Sequence, residues 1–146
     1  MSYTKSAAIT GAGTILSIGT VPTPVAEIKT IKLSGRKWDT DDVTNMSSPG
    51  YKEFIATIID PGEFALEGNR VSSDLGQVAM EAAFAAGNLN PFTVQLPKTS
   101  AQTTKGDAYT FSALVTEIDY NFETSKADSF SAKLKVSGAV LLVAGS

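Results

Sequence analysis

Short segments in which apolar and polar residues alternate or mix make up most of this chain, and that pattern predicts β-strands. Segments of this kind are Gly13–Thr20, Val25–Gly35, Glu63–Val71 and Pro91–Pro97. Glu53–Asp60 differs because it is apolar on both faces apart from Thr57, as is typical of a strand covered on both sides. The turn residues Asp60–Glu63 come next, so we expect Glu53–Asp60 and Glu63–Val71 to form a hairpin.

Only Ser73–Asn88 has the spacing and end signals of a helix. Asp74 is a candidate N-terminal cap, and Gln77 lies three residues after it, as in a capping box. Gly87 is placed to end the helix. The predicted buried face consists of Leu75, Val78 or Ala79, Ala82 and Ala86.

Two long strands are predicted in the C-terminal third, over Ala108–Glu123 and Ser129–Gly145. In the first, the apolar positions change phase between Val115 and Ile118, which predicts a β-bulge or a move into a different apolar environment. The second alternates at first and is apolar on both faces from Ala139 onward. We therefore expect the end of this hairpin to be covered on both sides, in part by another subunit.

The elements add up to roughly seven or eight strands and one helix by the pattern rules used above. This content predicts a mainly β fold, an antiparallel β-sandwich or barrel with one flanking α-helix, formed by residues 1–146 as a single domain.

The composition excludes several classes of function. With 12 Lys plus Arg against 15 Asp plus Glu, the net charge of -3 disfavours tight binding of nucleic acid. Cysteine and histidine are both absent, which removes thiol nucleophiles, imidazole bases and their metal sites, so we predict no enzyme activity, cofactor or metal. The N-terminus lacks the apolar core of a secretory signal, and the longest apolar run, Ala139–Ala144, is too short to span a bilayer.

Two pairs of charged residues occupy single strand faces. Glu117 and Asp119 form a candidate site for a hard cation, but a solvated strand face is favoured because the sequence places no further oxygen ligands nearby. Lys133 and Lys135 are expected to meet these carboxylates across the hairpin. Mutual neutralisation and a charged surface lining a passage are both compatible with that arrangement.

The segment Asp41–Phe54 is polar and long for a connection in a small domain. Trp38 lies shortly before it, beside Arg36 and Lys37. Three aspartates follow that basic pair, so we interpret Trp38 as a packing or interface anchor rather than as a base-stacking residue.

The order of motifs from Val25 to Val140 resembles that of the major tail tube proteins of long-tailed, non-contractile bacteriophages. The resemblance is densest over Asp42–Glu63. There the motifs Asp42-Val43-Thr44, Pro49-Gly50-Tyr51, Glu53-Phe54-Ile55 and Asp60-x-Gly62-Glu63 follow the family pattern in order and spacing. The later stretches DLGQ, FTVQLP, YTFSALVTEIDY and AKLKVSG continue the match.

This resemblance implies a β-sandwich with a flanking helix that assembles in the host cytoplasm into hexameric rings. The rings stack into the tail tube of the virion, and strands of neighbouring subunits form a continuous inner barrel. The implied partners are other copies of the chain, a tape-measure protein in the lumen, the tail terminator, and baseplate or tip proteins. Genomic DNA passes through the lumen, and the chain does not insert into a membrane.

Under this interpretation the segment at about residues 39–53 is an arm whose ordering cost can be met by contact with a neighbouring subunit or ring. The predicted contact residues are Asp42, Val43, Thr44, Met46, Pro49, Gly50 and Tyr51, with Met46 and Tyr51 as anchors. The candidate lumen-facing residues are Glu63, Glu67, Glu117 and Asp119.

Two alternatives remain open at the level of the sequence. One is the tube of a type VI secretion system or of a phage-tail-like bacteriocin, with the same architecture and a different cargo. The other is a monomeric β-sandwich binding module, for instance for carbohydrate, which predicts a monomer with an exposed aromatic platform.

Overall fold

Nine strands and one helix form residues 10–146, the part of the chain that the computed structural model describes. In chain order they are β1 (Ile15–Ile18), β2 (Thr23–Pro24), β3 (Ile28–Ser34), β4 (Lys37–Asp42), β5 (Phe54–Asp60), β6 (Glu63–Asn69), α1 (Leu75–Ala86), β7 (Asn90–Gln95), β8 (Ala108–Asn121) and β9 (Ser129–Val143). Seven strands form one antiparallel sheet in the order β2-β1-β7-β8-β9-β6-β3, and β4 pairs only with β5. The predicted fold class, mainly antiparallel β with one flanking helix, is confirmed.

The hydrophobic core lies on one face of the seven-stranded sheet, and Met80 and Ala83 of α1 contribute to it. Phe111 of β8 is central to it, because its ring stacks on Phe64 at 4.3 Å and on Phe92 at 5.7 Å between centroids. Ala113 and Leu134 are completely shielded from solvent on the same face. Each large side chain buried in this way stabilises the fold by about 1.5–3 kcal/mol.

The start of α1 is tied to the sheet by its capping residues. The Asp74 carboxylate accepts hydrogen bonds from the backbone N–H groups of Gln77 and Ala26, both at 3.0 Å. The Gln77 side chain donates to the carbonyls of Ala26 and Asn69 and accepts from Val71 N–H. Both predicted end signals are confirmed, since the helix ends at a residue in the left-handed conformation, the predicted glycine.

The buried face of α1 is different from the predicted one. The buried residues are Gly76, Met80 and Ala83. A side chain at Gly76 would collide with the backbone of β2, so the helix packs at its closest point where it has no side chain. Of the predicted face only Ala79 packs against the core, and Leu75 and Val78 are exposed.

The phase shift within β8 is a β-bulge, as predicted. Val115 pairs with Leu134, whereas Glu117 pairs with Lys133, so Thr116 is the extra residue on β8. Beyond this point the even-numbered residues of β8 turn toward the core side and the odd-numbered ones toward the opposite face.

The predicted hairpin between Glu53–Asp60 and Glu63–Val71 is wrong. Strand β5 pairs with β4, and β6 pairs with β3 and β9. The Asp60–Glu63 turn does not reverse the chain; within it, Gly62 has a φ of 92° and its N–H donates to the Asp60 carboxylate at 3.0 Å. The turn instead carries the chain from one two-stranded ladder into the next.

The two ladders are consecutive halves of one long, kinked hairpin. The β3–β6 ladder ends at the pair Ser34–Glu63, and the β4–β5 ladder begins at Lys37–Asp60. Only Gly35–Arg36 and Pro61–Gly62 separate them, and we call these four residues the hinge. Both hinge glycines have positive φ, and proline has no N–H for a ladder, so regular pairing stops there.

Candidate functional site

Residues 37–60, the half of the long hairpin beyond the hinge, form an arm that is exposed over almost all of its length. Every residue of β4 is exposed, and so is every residue of β5 except Asp60. The prediction that Glu53–Asp60 is covered on both sides is therefore wrong for the chain by itself. Exposure of such an apolar strand is costly in water, so the arm is a surface that a second molecule would stabilise by covering it.

One face of the arm is apolar. The register places Trp38 opposite Ile59 and Phe54 opposite Asp42, and alternation along β4 puts these residues on the same side. Ile59 is 46% exposed, and Trp38 is 56% exposed. A two-stranded hairpin is marginally stable alone, so this face has the properties of a contact surface.

The loop at the tip of the arm has hydrogen bonds of its own. Val43 N–H donates to the Glu53 carbonyl at 2.9 Å, and Glu53 N–H donates to the Thr44 hydroxyl at 2.8 Å. Ser48 accepts from Asn45 N–H at 3.0 Å and donates to the Glu53 carboxylate at 2.9 Å. The tip is thus a defined turn, whereas the sequence alone indicated a segment that depends on assembly for its order.

All the contact residues predicted from the sequence lie together at this tip, and all are exposed. They are Asp42, Val43, Thr44, Met46, Pro49, Gly50 and Tyr51. Of the two predicted anchors, Met46 is fully exposed and Tyr51 is 80% exposed. The Thr44 hydroxyl and N–H bond to the Asp42 carboxylate and hold the pKa of that carboxyl below its usual value.

The four candidate lumen-facing carboxylates, Glu63, Glu67, Glu117 and Asp119, share one face of the sheet, opposite the core. We call this the polar face, and it spans β3, β6, β9 and the part of β8 beyond the bulge. Three lysines lie on it as well: Lys32, Lys133 and Lys135. Cross-strand pairing arranges the polar face in levels, one of which reads Lys32, Ala65, Lys133, Glu117 and the next Thr30, Glu67, Ser131, Asp119.

One predicted cross-strand ion pair is present on the polar face. The Lys133 ammonium lies 3.6 Å from the Glu117 carboxylate, and both side chains are about half exposed. A groove of about 270 Å³ runs beside it between the two levels, lined in part by Glu67 and Asp119. The lining of this groove carries charges of both signs, with two lysines and three carboxylates.

Two strand edges next to the polar face carry unpaired backbone groups. Strand β3 pairs with β6 along one side only, and β8 beyond Ala113 pairs with β9 along one side only. Within residues 10–146, no other backbone hydrogen bond reaches Ile28–Ser34 or Leu114–Asn121. Free edges of this kind are templates for pairing with another chain.

A cluster at the far end of β8 was missed by the sequence reasoning. Arg70 lies over the rings of Tyr120 and Phe122, at 5.3 Å and 5.7 Å from the centroids. The Tyr120 hydroxyl donates to the Glu81 carboxylate at 3.2 Å, and burial together with that carboxylate raises the pKa of the tyrosine. The sequence signal that could have predicted this cluster is the spacing of Tyr120 and Phe122, which lie two positions apart near the end of the strand and so share one face.

Among residues 10–146, no three Asp, Glu, His or Cys side chains are grouped as metal ligands. No helix there is long and apolar enough to cross a membrane. The exposed features described above, namely the arm, the polar face and the two strand edges, are candidate contact surfaces.

The sequence matches no protein-family model and no curated protein sequence. The fold, in contrast, matches solved structures over nearly the whole chain. A chain in the C6-symmetric tail of an empty gene transfer agent particle is 19% identical, with a TM-score of 0.74, over 94% of this chain and 100% of that chain. A chain of the SPP1 tail tube is 16% identical, with a TM-score of 0.69, over 95% of this chain and 80% of that chain.

A third similar structure comes from a contractile machine. A chain of the sheath–tube complex of an extracellular contractile injection system is 14% identical, with a TM-score of 0.67, over 90% of this chain and 88% of that chain. At such identities the likeness concerns the fold alone. The fold is that of chains found in tails and tubes, which confirms at this level the resemblance first seen in the motifs.

Proposed function

We propose that this chain is a structural, non-enzymatic subunit that self-assembles into hexameric rings, which stack into the tail tube of a phage virion. The observation that carries the proposal is the agreement in fold over at least 94% of the chain with chains of two tails, one of them solved with C6 symmetry. This agreement covers nearly the whole chain.

The exposed surfaces of the chain support self-assembly. A subunit that must cover an apolar arm and two free strand edges gains from a closed ring, since ring closure removes edges without changing the fold of the subunit. The arm, with its apolar face and the tip that carries Met46 and Tyr51, then contacts a neighbouring subunit or ring. Residues 1–146 act as one tube domain with this arm protruding.

The polar face supports a role as a conduit. Four carboxylates and three lysines share it, so its charge is nearly balanced and slightly negative. A lumen lined in this way does not hold phosphates, and a nucleic acid passes through without being bound. In this proposal Glu63, Glu67, Glu117 and Asp119 line the lumen through which genomic DNA is delivered.

The proposed partners follow from the position of a tube within a tail. They are other copies of the chain, a tape-measure protein that occupies the lumen during assembly, the tail terminator, and baseplate or tip proteins. Assembly takes place in the host cytoplasm, and the product is part of the virion.

Electron microscopy of the purified chain tests the proposal. Negative-stain images over a series of protein and salt concentrations are expected to show rings and stacked tubes with a sixfold end view. A chain that remains monomeric under all of these conditions would contradict the proposal and favour the monomeric binding module. A different symmetry in the end view would contradict the hexamer alone.

A second candidate is the tube of a contractile injection machine, which the fold match to the sheath–tube complex favours. The two functions share the tube and differ in the outer layer and the cargo. Sheath genes beside the gene for this chain would favour the injection machine. Capsid and tape-measure genes without a sheath gene would favour the phage tail.

A further inference from the structure

We propose that the loop at residues 99–107, between β7 and β8, is a binding site for the backbone of residues 145–146, which follow β9. We call this contact the latch. The latch holds the apolar residues 141–143, at the end of β9, in the arrangement that meets another copy of the chain. The part of the proposal that concerns another copy rests on the proposed function, whereas the latch itself does not.

Three consecutive N–H groups of the loop point at one oxygen atom. The donors are the backbone N–H groups of Thr103, Thr104 and Lys105, at 2.9, 2.7 and 3.3 Å from the main-chain oxygen of Ser146. Successive N–H groups turned inward in this way make a concave site for an electron-rich oxygen. The N–H of Ser146 also donates to the Lys105 carbonyl at 3.1 Å, so the loop binds Ser146 through both of its main-chain polar groups.

The site fits glycine at position 145. The Gly145 N–H donates to the Asp107 carboxylate at 2.8 Å, and the Gln102 side-chain amide donates to the same oxygen at 2.9 Å. A Cβ at Gly145 would collide with the Lys105 carbonyl and with the backbone of Gly106. Because every other residue carries that Cβ, so close an approach of the two backbones requires glycine. The loop therefore recognises the shape of this backbone as well as its polar groups.

Hydrogen bonds within and beside the loop shape it for this contact. The Gln102 side chain accepts from the Thr99 N–H at 3.0 Å through its oxygen, while its amide nitrogen donates to Asp107. The Gln95 side chain donates to the Gly106 carbonyl at 2.9 Å. A site that its own contacts hold in the bound shape loses little conformational freedom when it binds, so the loop is a preformed receptor.

The latch closes the end of a short ladder. Residues 141–143 of β9 pair with residues 108–110 of β8, and a register shift separates these three pairs from the rest of the β8–β9 ladder. So few pairs hold a strand end weakly, because they supply few hydrogen bonds and little buried surface. Asp107 comes directly before the first of these β8 residues, so its bond to the Gly145 N–H ties the strand end on the side away from the shift.

The strand end that the latch holds is apolar and uncovered. Leu141, Leu142 and Val143 are all exposed, although they alternate between the two faces of the strand. A second copy offers a surface of matching chemistry, the apolar face of the arm with Trp38 and Ile59. A mobile strand end would lose conformational freedom on such a contact, and that loss weakens binding. A strand end already fixed by the latch binds without it.

A substitution that opens the latch tests the proposal. Gly145→Val places a side chain where the loop backbone lies, so the N–H groups of Thr103 and Thr104 should exchange with deuterium at least about tenfold faster than in wild type. Exchange within residues 141–143 should rise as well. Ala144→Val is the matched control, since it enlarges the neighbouring exposed side chain, and it should exchange at close to the wild-type rate. NMR gives these rates residue by residue, and unchanged rates in the core strands show that each variant is folded.

A second pair of variants changes the loop instead of the segment that it binds. Asp107→Ala removes the acceptor for the Gly145 N–H and should also speed exchange at Thr103 and Thr104. Asp107→Asn keeps a side-chain oxygen in the same place, so it should restore most of the protection. Equal exchange rates in the alanine and asparagine variants would overturn the role given to Asp107.

Sedimentation then measures what the latch does for assembly. Gly145→Val and Asp107→Ala should need about tenfold more protein than wild type to form tubes, because the strand end must first be ordered. Ala144→Val and Asp107→Asn should assemble within about twofold of the wild-type concentration.

The outcomes keep the latch apart from the proposed function. If Gly145→Val exchanges at Thr103 and Thr104 no faster than Ala144→Val, the latch is wrong and the tube function stands. If the latch opens and the concentration needed for assembly does not change, its effect on contact between copies is wrong. If wild type forms no rings under any condition, the proposed function fails, and the exchange rates still decide whether the latch exists.

Discussion

Replacing Trp38 with alanine is expected to leave the subunit folded and to impair its assembly. Trp38 is the only tryptophan of the chain, and it lies on the apolar face of the arm, outside the hydrophobic core. Its loss removes one cross-strand contact, with Ile59, so the free energy of unfolding should fall by less than about 1 kcal/mol. Assembly should suffer more, because in the proposed tube a neighbouring copy covers this face.

The expected size of the effect follows from the exposure of the side chain. Trp38 is 56% exposed, so full coverage would remove roughly 140 Å² from water if a tryptophan side chain offers about 250 Å². At about 25 cal/mol per Å² this corresponds to an upper limit of about 3.5 kcal/mol for each contact. Alanine retains part of the contact, so a loss of about 2–3 kcal/mol is expected, or roughly 30- to 150-fold in the concentration required for assembly.

The same residue supplies the assay. In wild type, the tryptophan emission maximum should shift to shorter wavelength as tubes form, and sedimentation of the polymer gives the critical concentration for each variant. Trp38→Phe serves as the matched control and should recover most of the assembly. Tubes formed by Trp38→Ala at the wild-type concentration, or an emission maximum that does not move on assembly, would refute the reasoning.

Three further outcomes are expected. Gln77→Ala should lower the free energy of unfolding, measured in urea, by about 2–4 kcal/mol, because two backbone carbonyls and the N–H of Val71 lose their hydrogen-bond partner. A decrease below about 1 kcal/mol would mean that water replaces the Gln77 side chain. Deletion of Thr44–Pro49 should leave a folded, soluble monomer by circular dichroism and gel filtration that no longer polymerises; normal tubes would exclude the tip as a contact. Reversing charge on β6, as in Glu63→Lys with Glu67→Lys, should leave tubes intact and lower infectivity or DNA ejection. Unchanged infectivity would argue against a lumenal position.

Local features of the fold could be predicted from the sequence. The N-terminal cap of α1 at Asp74 depends on residues close together in the chain, and so does the end of the helix at Gly87. The bulge at Thr116 could be predicted because apolar residues alternate along a strand with one side toward the core. One extra residue moves the apolar positions from odd to even numbers, and the sequence shows that change. The positions of the contact candidates at one exposed tip also followed from their closeness in sequence.

The pairing of β5 could not be predicted in the same way. The apolar residues of β5 predict a strand that is buried on both faces. The sequence pattern does not distinguish burial against the same chain from burial against another copy. The exposed end of β9, with Leu141, Leu142 and Val143, presents the same ambiguity. For the helix, the close approach of β2 at Gly76 determined which face is buried, and no residue spacing reveals such an approach.

The charges at the two free edges, β3 and the part of β8 beyond Ala113, also bear on which contacts between copies the chain avoids. An exposed edge strand invites a second identical edge, and such head-to-head pairing leads to dead-end dimers and to aggregates. Two β3 edges would bring Lys29 and Lys32 against their own copies, and two β8 edges would bring Glu117 and Asp119 together. Like charges directly opposite each other destabilise a strand pair. Both like pairs of edges are thus penalised, which lowers the tendency of the chain to aggregate through either edge.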